Sequence, residues 1–432
     1  MNLFDFSLKI NGYPLAKAQD TLRVIQAINE TEYSNYISDR KKNILDFHLN
    51  NNSFYRNFVG SSDVLWDNLP VLEKKNLQIP LKDRLSKGYN LKNVYVNKTS
   101  GSTGNPFYFA KDKFTHALTW AIIKNRFGWH GLNSKKQARF YGIPNLFVQN
   151  TKERIKDFFA NRYRFNVFDL SSKSLNNWIE TFKKSNFVYL NGYTTVILAF
   201  AKHLASKNIV LKDICPSLEA CVVTSEMCFE KDKKIMETAF GVPVINEYGA
   251  SELDLIAFEN TDYKWIINTE SLFVEILDSK NNILPFGEEG RIVISSLYNK
   301  AHPFIRYDIG DIGRLIFINN KTIILEKLIG RKEDIVKLPS GKTSPGLTFY
   351  YVTKSIMEDN GNINEIKVFQ TDLKTFEIQY SGKAQLNLQQ EENITKALYE
   401  YLEPNLIVTY KKVKQIKRNA NGKLKQFTSL IN

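Results

Sequence analysis

The stretch Lys98-Thr99-Ser100-Gly101-Ser102-Thr103-Gly104-Asn105-Pro106 follows the apolar residues Val94-Tyr95-Val96 and decides how the rest of the chain is interpreted. Glycine lets the backbone adopt positive φ and approach a ligand closely, so the hydroxyl and N–H groups of such a run can surround a polyphosphate. The run is not a Walker A loop, because Asn105 and Pro106 stand where that motif has Lys and then Ser or Thr. A surface turn is the alternative interpretation. The run predicts a phosphate-binding loop.

Four further motifs follow in order. They are Glu247-Tyr248-Gly249-Ala250-Ser251-Glu252, Pro303-Phe304-Ile305-Arg306-Tyr307-Asp308-Ile309-Gly310-Asp311, Gly330-Arg331-Lys332-Glu333-Asp334-Ile335-Val336-Lys337 and Asn421-Gly422-Lys423. Together with the loop, their order and spacing resemble the adenylate-forming (acyl-activating) enzyme superfamily. Leu69-Pro70-Val71-Leu72-Glu73-Lys74, Leu190-Asn191-Gly192-Tyr193 and Arg306-Tyr307 resemble its phenylacetate-CoA ligase branch, which includes CapK-like proteins of capsular polysaccharide biosynthesis.

The periodicity of the sequence predicts an α/β fold. Apolar residues at helical spacing alternate with short apolar runs, which indicates helices at 14–60, 114–127, 175–182 and 194–205 and buried strands at 187–190 and 220–223. Strands separated by turns are predicted at 273–277, 290–295, 314–318 and 322–325. The remainder is predicted to contain strands at 366–370, 375–380 and 407–410 and a helix at 391–402.

The resemblance implies how these elements are divided into domains. A large N-terminal α/β adenylation domain would span residues 1–332, with a β-rich subdomain at about 270–330. A small mobile C-terminal α+β domain would span 333–432 and carry the catalytic lysine. Lys332 and Glu333 would form the hinge, since hinges are a few terminal residues of an element.

The resemblance also implies the activity. We expect an ATP-dependent, Mg²⁺-requiring ligase that converts a carboxylic acid to an acyl-AMP, releases pyrophosphate and transfers the acyl group to an acceptor, CoA or an amine. Positioning and electrostatics dominate such a reaction, because two anions must be held together. The expected nucleotide-binding residues are Thr99, Ser100, Gly101, Ser102, Thr103, Gly104, Ser225, Glu226, Glu247, Tyr248, Gly249, Ser251, Asp311 and Arg331.

Two residues are the catalytic candidates. Glu252 would place Mg²⁺, which binds proteins through only one or two carboxylates. Lys423 would bridge the attacking carboxylate and the α-phosphate. The alternatives are a helix-capping acid for Glu252 and an ordinary surface lysine for Lys423, since 411–425 holds seven basic residues and no acidic one.

The acyl pocket is expected, by family position, at Tyr141, Asn191, Gly192 and Tyr193. Aromatic side chains here, including Phe140 and Phe147, suit an aromatic or apolar acid. Core packing explains most aromatic residues in a chain that is 13% aromatic.

Composition limits the remaining classes of function. The 432 residues are 43% hydrophobic and 24% charged, which is typical of a globular protein of more than one domain. The net charge of +14 suits anionic ligands; nucleic acid is not expected as a partner, because no zinc spacing or RNA-binding signature accompanies the charge. Cys215, Cys221 and Cys228 lack a CxxC spacing and fit a reducing cytoplasm.

No apolar run of 18 residues predicts a transmembrane segment, and the N-terminal residues do not resemble a signal peptide. We therefore expect a cytoplasmic enzyme. A homodimer is left open. The alternative function is a catalytically degenerate, nucleotide-binding member of a polysaccharide or small-molecule biosynthetic complex.

Overall fold

The computed structural model describes residues 3–61, 63–99, 107–142, 154–331, 335–345, 348–349, 352, 363–418 and 424–431. The chain divides into two compact units. The first comprises Met1–Ile309 and Arg314–Glu326, and the second comprises Gly310–Gly313 and Lys327–Asn432. The domain boundary at 332/333 stays a prediction, because residues 332–334 are not described.

Nineteen strands are found in the described residues. In chain order they are β1 (Val94–Lys98), β2 (Tyr108–Asp112), β3 (Gln137–Phe140), β4 (Arg162–Arg164), β5 (Tyr189–Tyr193), β6 (Ala220–Thr224), β7 (Val244–Ala250), β8 (Asp254–Glu259), β9 (Trp265–Ile267), β10 (Leu272–Leu277), β11 (Glu289–Ser296), β12 (Tyr307–Phe317), β13 (Ile323–Arg331), β14 (Ile335–Lys337), β15 (Thr343–Pro345), β16 (Ile363–Gln370), β17 (Thr375–Gly382), β18 (Ile407–Lys412) and β19 (Phe427–Ser429).

The largest sheet has eleven strands in the order β10-β11-β12-β13-β9-β8-β7-β6-β5-β3-β4. The strands β4, β3, β5, β6 and β7 run parallel. All five residues of Ala220–Thr224 are buried, as expected for a parallel strand that is covered on both faces. From β8 onward, β7 pairs with β8, β8 with β9, β9 with β13 and β10 with β11 in antiparallel fashion.

Helices cover both faces of the parallel strands. In chain order, the α-helices of the described residues are α1 (Leu3–Ile10), α2 (Leu15–Ala27), α3 (Glu30–Asn51), α4 (Ser53–Val59), α5 (Lys113–Gly128), α6 (Ser172–Lys183), α7 (Thr194–Ala205), α8 (Leu211–Ile214), α9 (Glu230–Phe240) and α10 (Leu388–Tyr401). Side chains of α1, α2 and α5 pack on Tyr189 and Val222. Those of α6, α7 and α9 pack on Leu190 and Val223, because successive residues of a strand point to opposite faces.

The second unit contains a four-stranded sheet in the order β18-β17-β16-β19. Helix α10 covers it through Ile394 and Leu398, which share a buried cluster with Val368, Phe376 and Ile378. The strands β14 and β15 form a separate antiparallel pair. The predicted fold class, a large α/β part with a β-rich region and a small α+β part, is confirmed.

The strand predicted at 314–318 is different in the structure. It begins at Tyr307, seven residues earlier than predicted, and ends at Phe317, so the Gly310-Asp311 pair lies inside β12. Gly310 has a φ of +85°, which glycine adopts without steric cost and which lets the strand continue. No helix in the described part of the chain is long and apolar enough to cross a membrane.

Candidate functional site

The predicted phosphate loop connects the two strands of a hairpin. Strands β1 and β2 pair in antiparallel fashion up to Lys98 and Tyr108. Beyond that pair, the Thr99 N–H donates to the Phe107 carbonyl oxygen at 3.0 Å, and the Phe107 N–H donates to Thr99 Oγ1 at 3.1 Å. Thr99 therefore closes the base of the loop. The other candidates of this loop, Ser100, Gly101, Ser102, Thr103 and Gly104, lie outside the described residues.

The segment that carries Glu252 meets the next motif in space. Glu252 is buried, and the Tyr307 hydroxyl, on β12, donates to its Oε1 at 3.0 Å. Gly249 precedes it at a bulge where an added Cβ would lie 2.5 Å from the Asp254 carbonyl oxygen, so this position requires glycine. A single buried carboxylate that accepts a neutral hydroxyl fits what Mg²⁺ needs from a protein when phosphates supply other ligands.

A lysine that the sequence analysis did not select binds the segment on either side of Glu252. Lys111, on β2, is 2% exposed and forms an ion pair with Asp254. Its ammonium also donates to the Ser251 carbonyl oxygen at 3.2 Å, and Asp254 accepts from Thr119 Oγ1 at 2.8 Å. Asp254 has a φ of +59°, which is uncommon for a residue other than glycine. No sequence signal distinguishes Lys111 among the 59 basic residues of the chain.

The carboxyl ends of β6 and β7 carry the next candidates. Ser225 follows β6 with a φ of +71°. Glu226 accepts the Thr195 N–H at Oε2 (2.8 Å), so its carboxylate lies at the first turn of α7. Tyr248 is buried, and its ring is nearly parallel to that of Trp265, with centroids 6.4 Å apart. Adenine stacking by Tyr248 stays a prediction.

The second unit carries two candidates that the structure describes in part. Asp311 is 7% exposed and directly follows Gly310 within β12. Arg331 ends β13, and its side chain is not among those described. The catalytic candidate Lys423 and the hinge candidates Lys332 and Glu333 also lie outside the described part of the chain. The roles of all five residues stay predictions.

A cavity of about 200 Å³ lies between the parallel strands and helix α5. Among its lining residues are Tyr141, Asn191 and Glu247, three of the predicted site residues. Gly192 is closely packed, because an added Cβ would lie 2.3 Å from the Phe140 carbonyl oxygen, and its place in an acyl pocket stays a prediction. The Tyr193 ring lies 4.9 Å from that of Tyr141.

Two arginines that the sequence analysis did not select, Arg139 and Arg162, also line the cavity. The Arg139 guanidinium lies 4.1 Å from the centroid of the Tyr141 ring. Burial raises the pKa of Glu247, while a hydrogen bond with the Thr224 side chain and the positive charges of Arg139 and Arg162 act to lower it. Burial, and then repulsion by Arg139, lowers the pKa of Arg162 to about 10. The cavity therefore combines a carboxyl group with two guanidinium groups.

Comparisons with known proteins agree with this architecture. No family model matches the chain. It is 23% identical over 318 residues to Protein CapK of Staphylococcus aureus, covering 69% of this chain and 68% of that protein. It is 29% identical over 126 residues to the phenylacetate-coenzyme A ligase of Aromatoleum evansii, covering 28% of this chain and 29% of that one.

Solved structures match over a larger share of the chain. The crystal structure of 2-hydroxyisobutyryl-CoA ligase in the postadenylation state superimposes with a TM-score of 0.73 at 14% identity, covering 93% of this chain and 90% of that one. The amide bond synthetase McbA from Marinactinospora thermotolerans gives a TM-score of 0.55 at 15% identity, covering 77% and 69%. The resemblance found in the motifs is confirmed: this chain has the adenylate-forming enzyme fold of these ligase structures and is similar in sequence to CapK and phenylacetate-CoA ligase.

Proposed function

We propose that this chain is an ATP-dependent ligase that activates a carboxylic acid as an acyl-AMP and transfers the acyl group to CoA or an amine. The observation that carries this proposal is the course of strand β7. Glu247, near its carboxyl end, lines the cavity, and Glu252, five residues later, is buried against Tyr307 of the next motif. Ligands of parallel α/β sheets bind at the carboxyl ends of the strands, so an acid bound at the Glu247 end of this cavity would face the nucleotide motifs.

The chemistry assigned to the motifs has two steps. A carboxylate oxygen of the acid attacks the α-phosphorus of ATP, the bond to the bridging oxygen breaks, and pyrophosphate leaves with the negative charge. The thiol of CoA or an amine then attacks the acyl carbonyl carbon and AMP leaves. Both steps depend on positioning and on stabilisation of the developing charge.

The roles of individual residues follow from the chemistry. Ser100, Ser102 and Thr103 donate to the β- and γ-phosphates, and Asp311 accepts from the ribose hydroxyls. Lys423 holds the attacking carboxylate next to the α-phosphate. Glu252 holds Mg²⁺, which when bound offsets the charge of the phosphates.

In this proposal, the transfer step requires the two domains to adopt a second orientation relative to each other. Residues 1–332 form the adenylation domain, and residues 333–432 form the small domain that carries Lys423. Lys332 and Glu333 are the pivot, because a change of φ and ψ at a few such residues reorients a whole domain.

The test is a pyrophosphate-release assay with a panel of carboxylic acids, repeated with CoA and with amines as acceptors. We expect at least one acid to stimulate release in the presence of Mg²⁺ and one acceptor class to yield product. If ATP binds but no acid stimulates either pyrophosphate release or ATP–pyrophosphate exchange, the chain is a degenerate nucleotide-binding member and the proposal is wrong.

A further inference from the structure

We propose that Arg84 and His302 are positioning residues for ATP, which together hold the base of the phosphate loop in place. The loop base is the part of the β1–β2 hairpin where Thr99 closes on Phe107 and where Tyr108 begins β2. This inference rests on the nucleotide site of the proposed function, since it takes the loop after β1 as the site of the β- and γ-phosphates. Both residues are buried, and the sequence analysis selected neither.

The Arg84 guanidinium joins three segments of the chain. Arg84 is 1% exposed and ends a short 3₁₀ helix. Its Nη2 donates to the Tyr108 carbonyl oxygen at 2.7 Å, and its Nη1 donates to His302 Nε2 at 2.6 Å. Its Nε donates to the Ile79 carbonyl oxygen at 3.1 Å, and the guanidinium lies 5.9 Å from the centroid of the Phe107 ring. Arg84 therefore contacts two consecutive residues of the loop base.

His302 is the acceptor that orients this guanidinium. A guanidinium can only donate, so His302 Nε2 accepts and the ring proton is on Nδ1. Burial, and then the charge of Arg84, lowers the pKa of His302 well below its usual range, which keeps the ring neutral. Its Nδ1 is buried without a hydrogen-bond partner among the described residues. The ring therefore leaves one hydrogen bond unmade and keeps the one to Arg84.

The segment that carries Arg84 is itself fixed by buried hydrogen bonds. Asn52 is buried, and its Nδ2 donates to the Arg84 carbonyl oxygen at 2.9 Å and to Ser86 Oγ at 3.0 Å. The Ser86 N–H donates at 3.0 Å to the carbonyl oxygen of Ala301, which precedes His302. Donor and acceptor of the Arg84–His302 bond are therefore both supported by further contacts, as a positioning pair requires.

Aromatic packing connects the loop base with the residue proposed to hold Mg²⁺. The Phe107 ring lies 6.5 Å from the Tyr307 ring, and the Tyr307 hydroxyl donates to Glu252. The Phe304 ring lies 4.6 Å from the His302 ring and 5.2 Å from the Tyr307 ring. The arginine and the histidine therefore contact the two ends of one row of rings. Loss of either residue displaces the loop base relative to the carboxylate.

The charge of Arg84 also suits the base of a phosphate loop. Burial lowers the pKa of Arg84 to about 10, and no charged group of the described residues opposes that shift. Burying a guanidinium costs free energy, and a neutral donor is enough to join two segments by hydrogen bonds. A positive charge at the loop base raises the local potential and favours an anion there.

The experiment compares two nucleotides that differ only in the phosphates assigned to the loop. Dissociation constants of ATP and AMP, both with Mg²⁺, are measured by isothermal titration calorimetry for the full chain and for Arg84→Met, Arg84→Lys, His302→Leu and His302→Gln. Glutamine places an acceptor near the position of Nε2, and leucine removes it. Arg40→Met is the control, because Arg40 also donates to a carbonyl oxygen, that of Leu297, and lies over an aromatic ring, that of Tyr298.

We expect Arg84→Met and His302→Leu to weaken ATP binding about 10- to 100-fold, the scale of a misplaced binding group, and to change AMP binding by less than about threefold. Arg84→Lys keeps the charge but not the fork of donors, so it retains part of the ATP affinity. His302→Gln retains most of the ATP affinity, and Arg40→Met changes neither dissociation constant.

Equal losses for ATP and AMP in Arg84→Met show a merely structural role and overturn the inference, as does an unchanged ATP affinity. If His302→Gln is as impaired as His302→Leu, the acceptor role is wrong. Should Arg84→Met and His302→Leu fail to fold, hydrogen exchange of residues 81–86 in the wild type decides. Slower exchange with ATP than with AMP supports the inference, and equal exchange refutes it.

These measurements need no carboxylic acid, so they separate the inference from the proposed function. If no acid stimulates pyrophosphate release but ATP affinity depends on Arg84, the inference stands and the proposed activity fails. If the wild type does not bind ATP, both fail.

Discussion

The ion pair between Lys111 and Asp254 makes a prediction about stability that can be worked out from the structure. Lys111→Met removes a cation that is 2% exposed and leaves Asp254 with the hydroxyl of Thr119 as its remaining donor among those identified. Breaking a fully buried pair costs about 3–5 kcal/mol. Asp254 keeps 24% of its side-chain exposure, so water recovers part of that loss, and we expect the free energy of unfolding to fall by about 2–3 kcal/mol.

The assay is urea denaturation followed by tryptophan fluorescence. All five tryptophans lie in the first unit, as does the ion pair; they are Trp66, Trp120, Trp129, Trp178 and Trp265. Asp254→Asn completes a double-mutant cycle, because asparagine keeps an acceptor for Thr119 and tolerates a φ of +59°. We expect a coupling energy of about 1–3 kcal/mol, with the double variant more stable than Lys111→Met alone.

The same change should also reduce activity, because the Lys111 ammonium donates to the Ser251 carbonyl oxygen next to Glu252. Lys92→Met, at an exposed lysine, is the control and should stay within about 0.5 kcal/mol of the wild type. A Lys111→Met variant as stable as that control, or a coupling energy near zero, would refute the reasoning.

Three further predictions concern packing, pH and the two half-reactions. Gly192→Ala should lower the free energy of unfolding by about 2 kcal/mol or more, because the Cβ meets backbone 2.3 Å away, whereas Gly128→Ala, with open space around its Cβ, should not lower it; equal effects in urea denaturation would contradict this. Burial lowers the pKa of His48 to about 4, so between pH 7 and pH 5 the unfolded chain takes up a proton at this group and the folded chain does not. His48 alone should therefore lower the free energy of unfolding by about 2 kcal/mol over that range, the fall in His48→Gln should be smaller than in the wild type by about that amount, and an equal fall in both would be a counterexample. Lys423→Ala should slow single-turnover pyrophosphate release about 10²-fold or more and spare transfer from synthetic acyl-adenylate, while Glu333→Pro should do the reverse; wild-type release by Lys423→Ala would show that this lysine is not catalytic.

Several elements were predictable because their signals are local. The helix predicted at 194–205 is Thr194–Ala205, and the strand predicted at 220–223 is Ala220–Thr224. Apolar spacing and a continuous apolar run produce these signals within a few residues of chain. Strand β12 was predicted too short, because a Gly-Asp pair is compatible both with a turn and with a strand that contains one residue of positive φ.

The candidate site was predictable only where motifs carry it. The motifs predicted Glu252 as a site residue, and the structure joins it by a hydrogen bond to Tyr307, a residue of the next motif that was not itself predicted to be in the site. The support given by Lys111 was not predictable, because its partner lies 143 residues away in the sequence. The local sequence around a lysine does not show whether its side chain is solvated or buried in an ion pair.

By itself, the sequence determined the alternation of strands and helices and the resemblance to the adenylate-forming enzymes, because periodicity and motif spacing are properties of the chain as written. Only the tertiary structure decided which charged side chains share the cavity. Arg139, Arg162 and Glu247 come from three strands whose neighbours in the sheet are set by pairing across intervening helices. The physical reason is that burial and the choice of counter-ion depend on the whole fold, so a group of charged side chains that share a cavity cannot be recognised until the strands are in register.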